Sequence, residues 1–311
     1  MYLRFGYACI TKTLEITTSH TITYTNYKKL PLEQQHKKLI EISEKNLDNL
    51  LEIIKYNIKN NIHFYRMSSN IFPLATHPEI KIDILKICEK KLKTIGQIIN
   101  ENKLRVDIHL DPYCVLNSTN NSVVNSSINI INFYKNMLLK MDVKTNMVLH
   151  IGSNSFGKKK SITRFINNFK KLDEESKKLI ILENDDKVFN IKDTLYICKK
   201  LNIPMVLDYH HYICNNEGEN INDFIEEIFN TWKHKTPKVH ISSPKNKKEY
   251  RSHHDYINIT DFIKLKEIIK KTNRNVDIMI EAKEKDNALF KLTRQLKYMG
   301  YNFIDETTIK I

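Results

Sequence analysis

A single (β/α)8 barrel, a TIM barrel of the α/β class, is the fold this sequence predicts, and three observations predict it. Short apolar, β-branched runs alternate with longer Lys/Glu/Leu/Ile-rich segments of helical spacing. Eight runs of each kind follow one another in strict alternation. No Pro/Gly/Ser-rich linker and no strong sequence repeat interrupts the series. Alternating βα units imply parallel strands. Eight of them in 311 residues imply a closed barrel in preference to a doubly wound open sheet, and one domain over residues 1–311.

The predicted strands are 2–9, 62–67, 105–110, 146–152, 179–184, 204–209, 237–242 and 277–282. The run at 204–209 is typical: Met205, Val206 and Leu207 follow Pro204 and lead into Asp208 and two histidines, as a fully buried strand would. Helices are predicted near 33–60, 80–101, 123–142, 161–176, 190–202, 219–232, 259–272 and 285–299.

Composition is that of an ordinary soluble globular chain, with 41% hydrophobic and 28% charged residues. The net charge of +14 suits a polyanionic partner. An abundance of Lys, Asn and Ile beside only 6 glycines also looks like AT-rich coding, which discounts that signal. Five scattered cysteines with no CxxC pair read as reduced thiols, which suits an intracellular protein. No signal peptide and no transmembrane segment is predicted. The first strand starts almost at Met1, so no transit peptide is expected either.

Barrels gather their functional side chains at the C-terminal ends of the strands. Tyr7, His77, His109, His150, Glu183, Asp208 with His211, His240, His253 and Glu281 all fall at or just beyond those predicted ends. Alone, each histidine reads as a hydrogen-bonded structural residue, and either glutamate could close a salt bridge with Lys238 or Lys283. Together, several ionised groups in one buried ring are costly without a cation. Nine N/O donors and no cysteine suit Zn, Mn or a similar divalent ion. They are too many for one ion and imply about two or three, the arrangement that clamps both oxygens of a phosphate ester.

Two other stretches carry weaker signals. Gly152–Lys159 (GSNSFGKK) follows a strand and nearly matches a phosphate-binding loop, but Lys159 stands where that loop needs Ser or Thr. No nucleotide cofactor is therefore expected, and Lys158, Lys159, Lys160 and Arg164 read as phosphate contacts or a solvated run. Lys245–Arg251 (KNKKEYR) reads as a basic, mobile loop placed to reach a polyanion, or as a solvated one.

Taken in order, Arg4–Cys9, PLATHP at 73–78, Val148–Gly152, LEND at 182–185, LDYHH at 207–211, PKVHIS at 237–242, His253–Asp255 and IEAKEK at 280–285 resemble the UV-damage endonucleases of the UvdE type, barrels related to endonuclease IV. The resemblance covers nearly the whole chain. It implies a divalent-metal-dependent enzyme, with up to three ions (Mn first, with Zn, Co or Mg as alternatives), that incises damaged double-stranded DNA. The cut lies immediately 5′ to pyrimidine dimers and 6-4 products, and near some abasic sites, as the first step of excision repair. The nine donors above match the family's metal ligands. Glu183 and Lys238 match its catalytic positions, Lys238 beside the metals and open to modification. Lys238 and His240 share a strand face, so both should point into the site. Tyr7 and Tyr113 match aromatic lesion-contacting positions. Pro112 stands where the family has a glutamine and Thr11 where it often has an asparagine, so lesion probing is expected to differ.

Three rivals remain. An apurinic endonuclease of the related fold would prefer abasic sites. A sugar isomerase also uses His/Glu/Asp metal sites, although the charge and the donor count argue against a small neutral substrate. A DNA-binding relic would have lost ligands, and none is lost. A monomer is expected, since one barrel holds a complete site.

Overall fold

The computed structural model describes residues 1–311. Its centre is a ring of parallel strands: β1 (Tyr2–Ala8), β2 (Phe64–Met67), β3 (Arg105–His109), β4 (Met147–Leu149), β5 (Ile180–Glu183), β6 (Met205–Asp208), β7 (Lys238–Ile241) and β8 (Val276–Ile280). Neighbours in sequence are neighbours in the sheet, and β8 closes on β1 from Leu3 opposite Val276 to Tyr7 opposite Ile280. The (β/α)8 expectation is met, with every strand shorter than expected and β8 starting one residue earlier, at Val276.

The surrounding helices are α1 (Tyr24–Lys28), α2 (Leu32–Lys59), α3 (Ile84–Ile87), α4 (Glu89–Glu101), α5 (Asn121–Met141), α6 (Lys158–Phe169), α7 (Glu174–Leu179), α8 (Ile191–Leu201), α9 (Tyr209–Cys214), α10 (Ile225–Asn230), α11 (Ile259–Lys270) and α12 (Lys285–Tyr298). Asparagine, so abundant here, starts several of them: Asn120, Asn190 and Asn258 each accept a first-turn backbone N–H. No helix is long and apolar enough to cross a membrane.

Several expectations need correction. The predicted helix 80–101 splits at Cys88 into α3 and α4. The predicted helix 161–176 starts earlier and breaks before Asp173, whose side chain caps the separate α7. The predicted helix 219–232 shrinks to a 3-10 turn at Ile221–Asp223 followed by α10. Unforeseen are α1, α9 and a C-terminal hairpin, β9 (Asn302–Asp305) and β10 (Thr308–Lys310). Elements this short carry too few residues to show a period. β10 lies antiparallel on β1 at Tyr2–Arg4, the half that β2 leaves uncovered by pairing only with Gly6–Ala8.

Strand alternation separates two cores. Leu3, Phe5, Ile108, Leu182, Leu207, Val239 and Ile278 face outward into the main apolar cluster shared with the helices. Inside the ring, Trp232 packs on Val148, Ile181 and Val206 and donates its indole N–H to the Met205 carbonyl at 2.6 Å. Ala8, Phe64 and Met279 form a second small apolar group there, and the remainder of the interior is ionic.

The helix layer is tightest between α4 and α5. A Cβ added at Gly96 would lie 1.7 Å from the Met141 carbonyl oxygen, so the helices must separate to admit one. Gly96→Ala is expected to lower stability by about 1–3 kcal/mol. Urea unfolding would check this; an unchanged midpoint would mean the two helices pack less rigidly than they stand here.

Candidate metal centre at the barrel mouth

Period-two alternation aims Arg105, Asp107 and His109 of β3, Lys238 and His240 of β7, and Asp277 of β8 into the barrel. They meet in tiers. Lowest, Asp277 accepts from Arg4 Nε at 2.6 Å and from Arg105 Nη1 at 2.5 Å. Above it the ammonium of Lys238 donates to Asp107, both side chains fully buried, with the Phe64 ring 5.6 Å away. Arg66 of β2 donates to Glu281, just past β8, at 2.5 Å.

The top tier is where donors converge. His109, His150 and Glu183 form one group and Glu183, Asp208, His240 and Glu281 a second, each with its ligand atoms within 4.8 Å of one another. Glu183 is the shared corner. Its Oε2 lies 3.3 Å from His109 Nε2 and 3.1 Å from His240 Nδ1, and its Oε1 lies 3.4 Å from His211 Nδ1. His240 Nδ1 is also 3.0 Å from Glu281 Oε1.

Backbone contacts fix the rings. His109 sets Nδ1 against the Leu110 carbonyl at 2.9 Å, which leaves Nε2 to face Glu183, whereas His211 turns Nδ1 both to the Asn184 carbonyl at 2.9 Å and towards Glu183. The Asn184 side chain bonds the Asp208 backbone in both directions at 3.0 Å and ties the end of β5 to that of β6. Asp208 caps α9 by accepting the His211 N–H at 2.7 Å, so His211 sits on a short helix and not in the expected loop.

The electrostatics are those of carboxylates held without solvent. Burial disfavours the Glu183 anion, yet His240 and His150 beside it hold its carboxyl well below the usual range. Burial opposes Glu281 likewise, and Arg66 with His240 hold it well below. Burial lifts Asp208 above its ordinary value. Burial takes the His150 imidazole down to about 4. It also works against charge on His211 and His240, but Asp208 and Glu183 raise the first to about 11, and Glu183 and Glu281 the second to about 9. His211 and His240 thus supply the positive charge that the carboxylates need.

A divalent cation fits this donor set. Both ring nitrogens of His240, Nδ1 of His150, Oε2 of Glu183 and Oδ2 of Asp208 are buried without a hydrogen-bond partner, although donors and acceptors lie close by. Such atoms cost about 1–3 kcal/mol each when unsatisfied. Nitrogen and oxygen donors without thiolate suit a hard or borderline ion.

The other expected residues stand elsewhere. His253 lies at the rim, its ring 6.4 Å from that of His211. His77 belongs to neither group; its ring stacks on Tyr24 at 4.0 Å and its Nδ1 accepts from the Glu79 backbone. Tyr7 is corrected outright. Strand parity turns it outward, where it is fully buried and donates to Asn57 of α2, so no face remains for a base. Thr11 is buried too, its hydroxyl donating to Asp286 of α12. Pro112 and Tyr113 are exposed at the tip of the loop after β3, Tyr113 at 82%. Lys238 points into the barrel as expected but is engaged by Asp107.

Two basic stretches also change. Lys158 bridges Asp193 and Glu217, and Arg164 donates to the carbonyls of Asn117 and Ser155, which leaves Lys159 and Lys160 exposed. The loop at 245–251 is tied down: Lys245 pairs with Glu249, and Arg251 Nε donates to the Asp186 carbonyl.

Sequence reasoning missed Asp107, Arg66 and His210. Asp107 was findable, since it shares its strand face with His109. His210 holds Ser242 Oγ at 2.6 Å and the Tyr250 carbonyl at 2.9 Å, so both its nitrogens are occupied and it is His211 that faces the centre.

Comparison with known proteins gives a consistent result. The model of the UV-endonuclease UvdE family matches residues 3–310. The chain is 38% identical, over 100% of both sequences, to the UV DNA damage endonuclease of Bacillus mycoides (strain KBAB4). It is 39% identical to that of Bacillus cereus (strain B4264), over 95% of each. The crystal structure of SacUVDE superposes with a TM-score of 0.86 at 33% identity, over 96% of this chain and 99% of that one. A D-tagatose 3-epimerase-like protein, at 16% identity and a TM-score of 0.57 over 95% and 96% of the chains, shares the fold.

Removing Asp107 would strand a buried ammonium. Asp107→Ala is expected to destabilise the chain by about 3–5 kcal/mol in chemical denaturation, and Asp107→Leu with Lys238→Met to recover most of that loss. Equal stability of Asp107→Ala and wild type would show that the pair is not desolvated.

Proposed function

The chain belongs to the UV-endonuclease UvdE family and is a DNA-repair endonuclease, and from that premise we propose that it hydrolyses the phosphodiester immediately 5′ to UV photoproducts in double-stranded DNA, pyrimidine dimers and 6-4 products first, and at some abasic sites. The observation that carries this reading is Glu183, the corner common to two groups of buried donors at the barrel mouth.

In this proposal His109, His150, Glu183, Asp208, His211, His240 and Glu281 hold up to three divalent ions, Mn²⁺ being the first to test, with His253 and His77 joining from the rim loops. Such ions, when bound, polarise the phosphate and ready a water for attack, which leaves a 3′-hydroxyl and a 5′-phosphate. The protein's own part is positional. Glu183 fixes the spacing of the two groups, and Arg66 holds Glu281 from behind. Lys238 keeps a positive charge one tier below the phosphate, its ammonium drawn down by burial to about 8.

Damage is exposed by unstacking, which costs a few kcal/mol and least at a distorted lesion. Tyr113, exposed on its loop, stacks on the opened site, a contact of roughly 1–3 kcal/mol per base. Pro112 has no amide to probe with, so discrimination rests more on stacking than on hydrogen bonding. One chain carries the whole donor set, and it acts as a monomer.

Strand scission on matched duplexes holding one thymine dimer, one abasic site or no lesion is the test, with Mn²⁺ and then with EDTA. A nick just 5′ of the dimer, lost with EDTA and reduced by about a hundredfold or more in Glu183→Ala, is expected. Cutting at the abasic site alone would make the chain an apurinic endonuclease instead. No cutting with any divalent metal would remove the reading.

A further inference from the structure

We propose that Phe156 is a second aromatic contact to DNA, an apolar wedge that stacks on a base opened at the lesion while Tyr113 engages the duplex from the adjoining loop. This rests on the DNA-incising reading above.

Phe156 lies in the loop between His150 and α6, at the mouth of the barrel. Its side chain is 76% exposed, although phenylalanine gains nothing from water. Its φ is +62°, a left-handed conformation that is an outlier for a bulky residue. A single exposed aromatic is unremarkable on its own. A strained and exposed aromatic needs a reason, because strain persists only where surrounding structure enforces it.

The enforcement is visible on both sides of the residue. The side chain of buried Asn117 donates to the Ser153 carbonyl at 2.7 Å and accepts the Ser153 N–H at 2.9 Å. Arg164 donates to the carbonyls of Asn117 and Ser155, and Ser161 also donates to that of Ser155. Gly152 has φ +108°, and a Cβ there would sit 2.6 Å from Asn117 Oδ1, so the two loops close only over glycine. Asn117 belongs to the same loop that displays Tyr113. The loops after β3 and β4 are therefore joined into one rigid support that holds two exposed rings. Arg164, which reads from sequence as a phosphate contact, is consumed in building that support.

The occupant follows from the chemistry. Exposed Lys159 and Lys160 follow Phe156 in the first turn of α6, at the same end of the barrel as the donor groups proposed to receive a phosphodiester. An aromatic ring beside free lysines is the pairing that tracks unstacked nucleic acid, ring to base and ammonium to phosphate.

The test compares wild type, Phe156→Ala, Phe156→Gly and Phe156→Trp on a duplex with one thymine dimer and on one with one abasic site. KM for incision is measured with Mn²⁺. Fluorescence of 2-aminopurine placed beside the lesion is measured with EDTA, so that no cutting occurs. Phe156→Ala is expected to raise KM by roughly 5- to 100-fold and to abolish the fluorescence change. Phe156→Trp is expected to retain both. Phe156→Gly, which releases the backbone strain, should lose DNA contact as Phe156→Ala does while melting no lower than wild type. A merely structural Phe156 would give the reverse, a lower melting temperature with KM and fluorescence unchanged, and that would overturn the proposal. If wild type cuts a lesion and Phe156→Ala matches it in both readouts, the wedge fails and the enzymatic reading stands. If wild type cuts neither duplex, the enzymatic reading fails and the wedge with it.

Discussion

Charge compensation inside a closed barrel is the constraint on which this structure depends. Asp107, Glu183, Asp208, Asp277 and Glu281 all project into a space without bulk water, where an unpaired carboxylate is very costly. Arg4, Arg105, Lys238 and Arg66 neutralise the lower tiers and Glu281. At the top the remaining acids have only imidazoles, of which His211 and His240 are raised towards their charged form by the very carboxylates they face. The donor groups at the mouth, whose chemistry fits a cation, are thus the upper end of one ionic column, continuous with the pairs that hold the barrel interior together.

That column explains the apolar distribution too. Barrel interiors are ordinarily filled by layers of branched aliphatic residues. Here only two small groups do so, Trp232 with Val148, Ile181 and Val206, and Ala8 with Phe64 and Met279. Most of the apolar burial moves outward, between strands and helices, where Leu3, Phe5 and Tyr7 sit. Stability comes chiefly from the outer layer, and the inner one is left to hold charge in place.

Much of this was legible in the chain. β-Branched runs in strict alternation with helical segments gave the barrel, because period and length are local properties. The donors at strand ends were legible for the same reason: once strands are placed, parity and chain direction say which residues reach the mouth. Asp107 could have been read by the same rule applied one step further back from His109. Short elements such as α9 and the final hairpin could not, since their formation depends on Asp208 as a cap and on a bare edge of β1.

What the sequence by itself determined was therefore the kind of fold and the chemical kind of site: an inward ring of nitrogen and oxygen donors on eight parallel strands. Tertiary structure alone decided which donors meet. It set Glu183 at the corner of two groups, covered Tyr7 with Asn57 of α2, buried Thr11 against Asp286, stacked His77 on Tyr24 and gave both nitrogens of His210 to Ser242 and Tyr250. The reason is physical. Which face a strand residue takes and what type of atom it carries are local facts, whereas convergence within a few ångströms is fixed by loops whose paths are set by contacts distant in sequence.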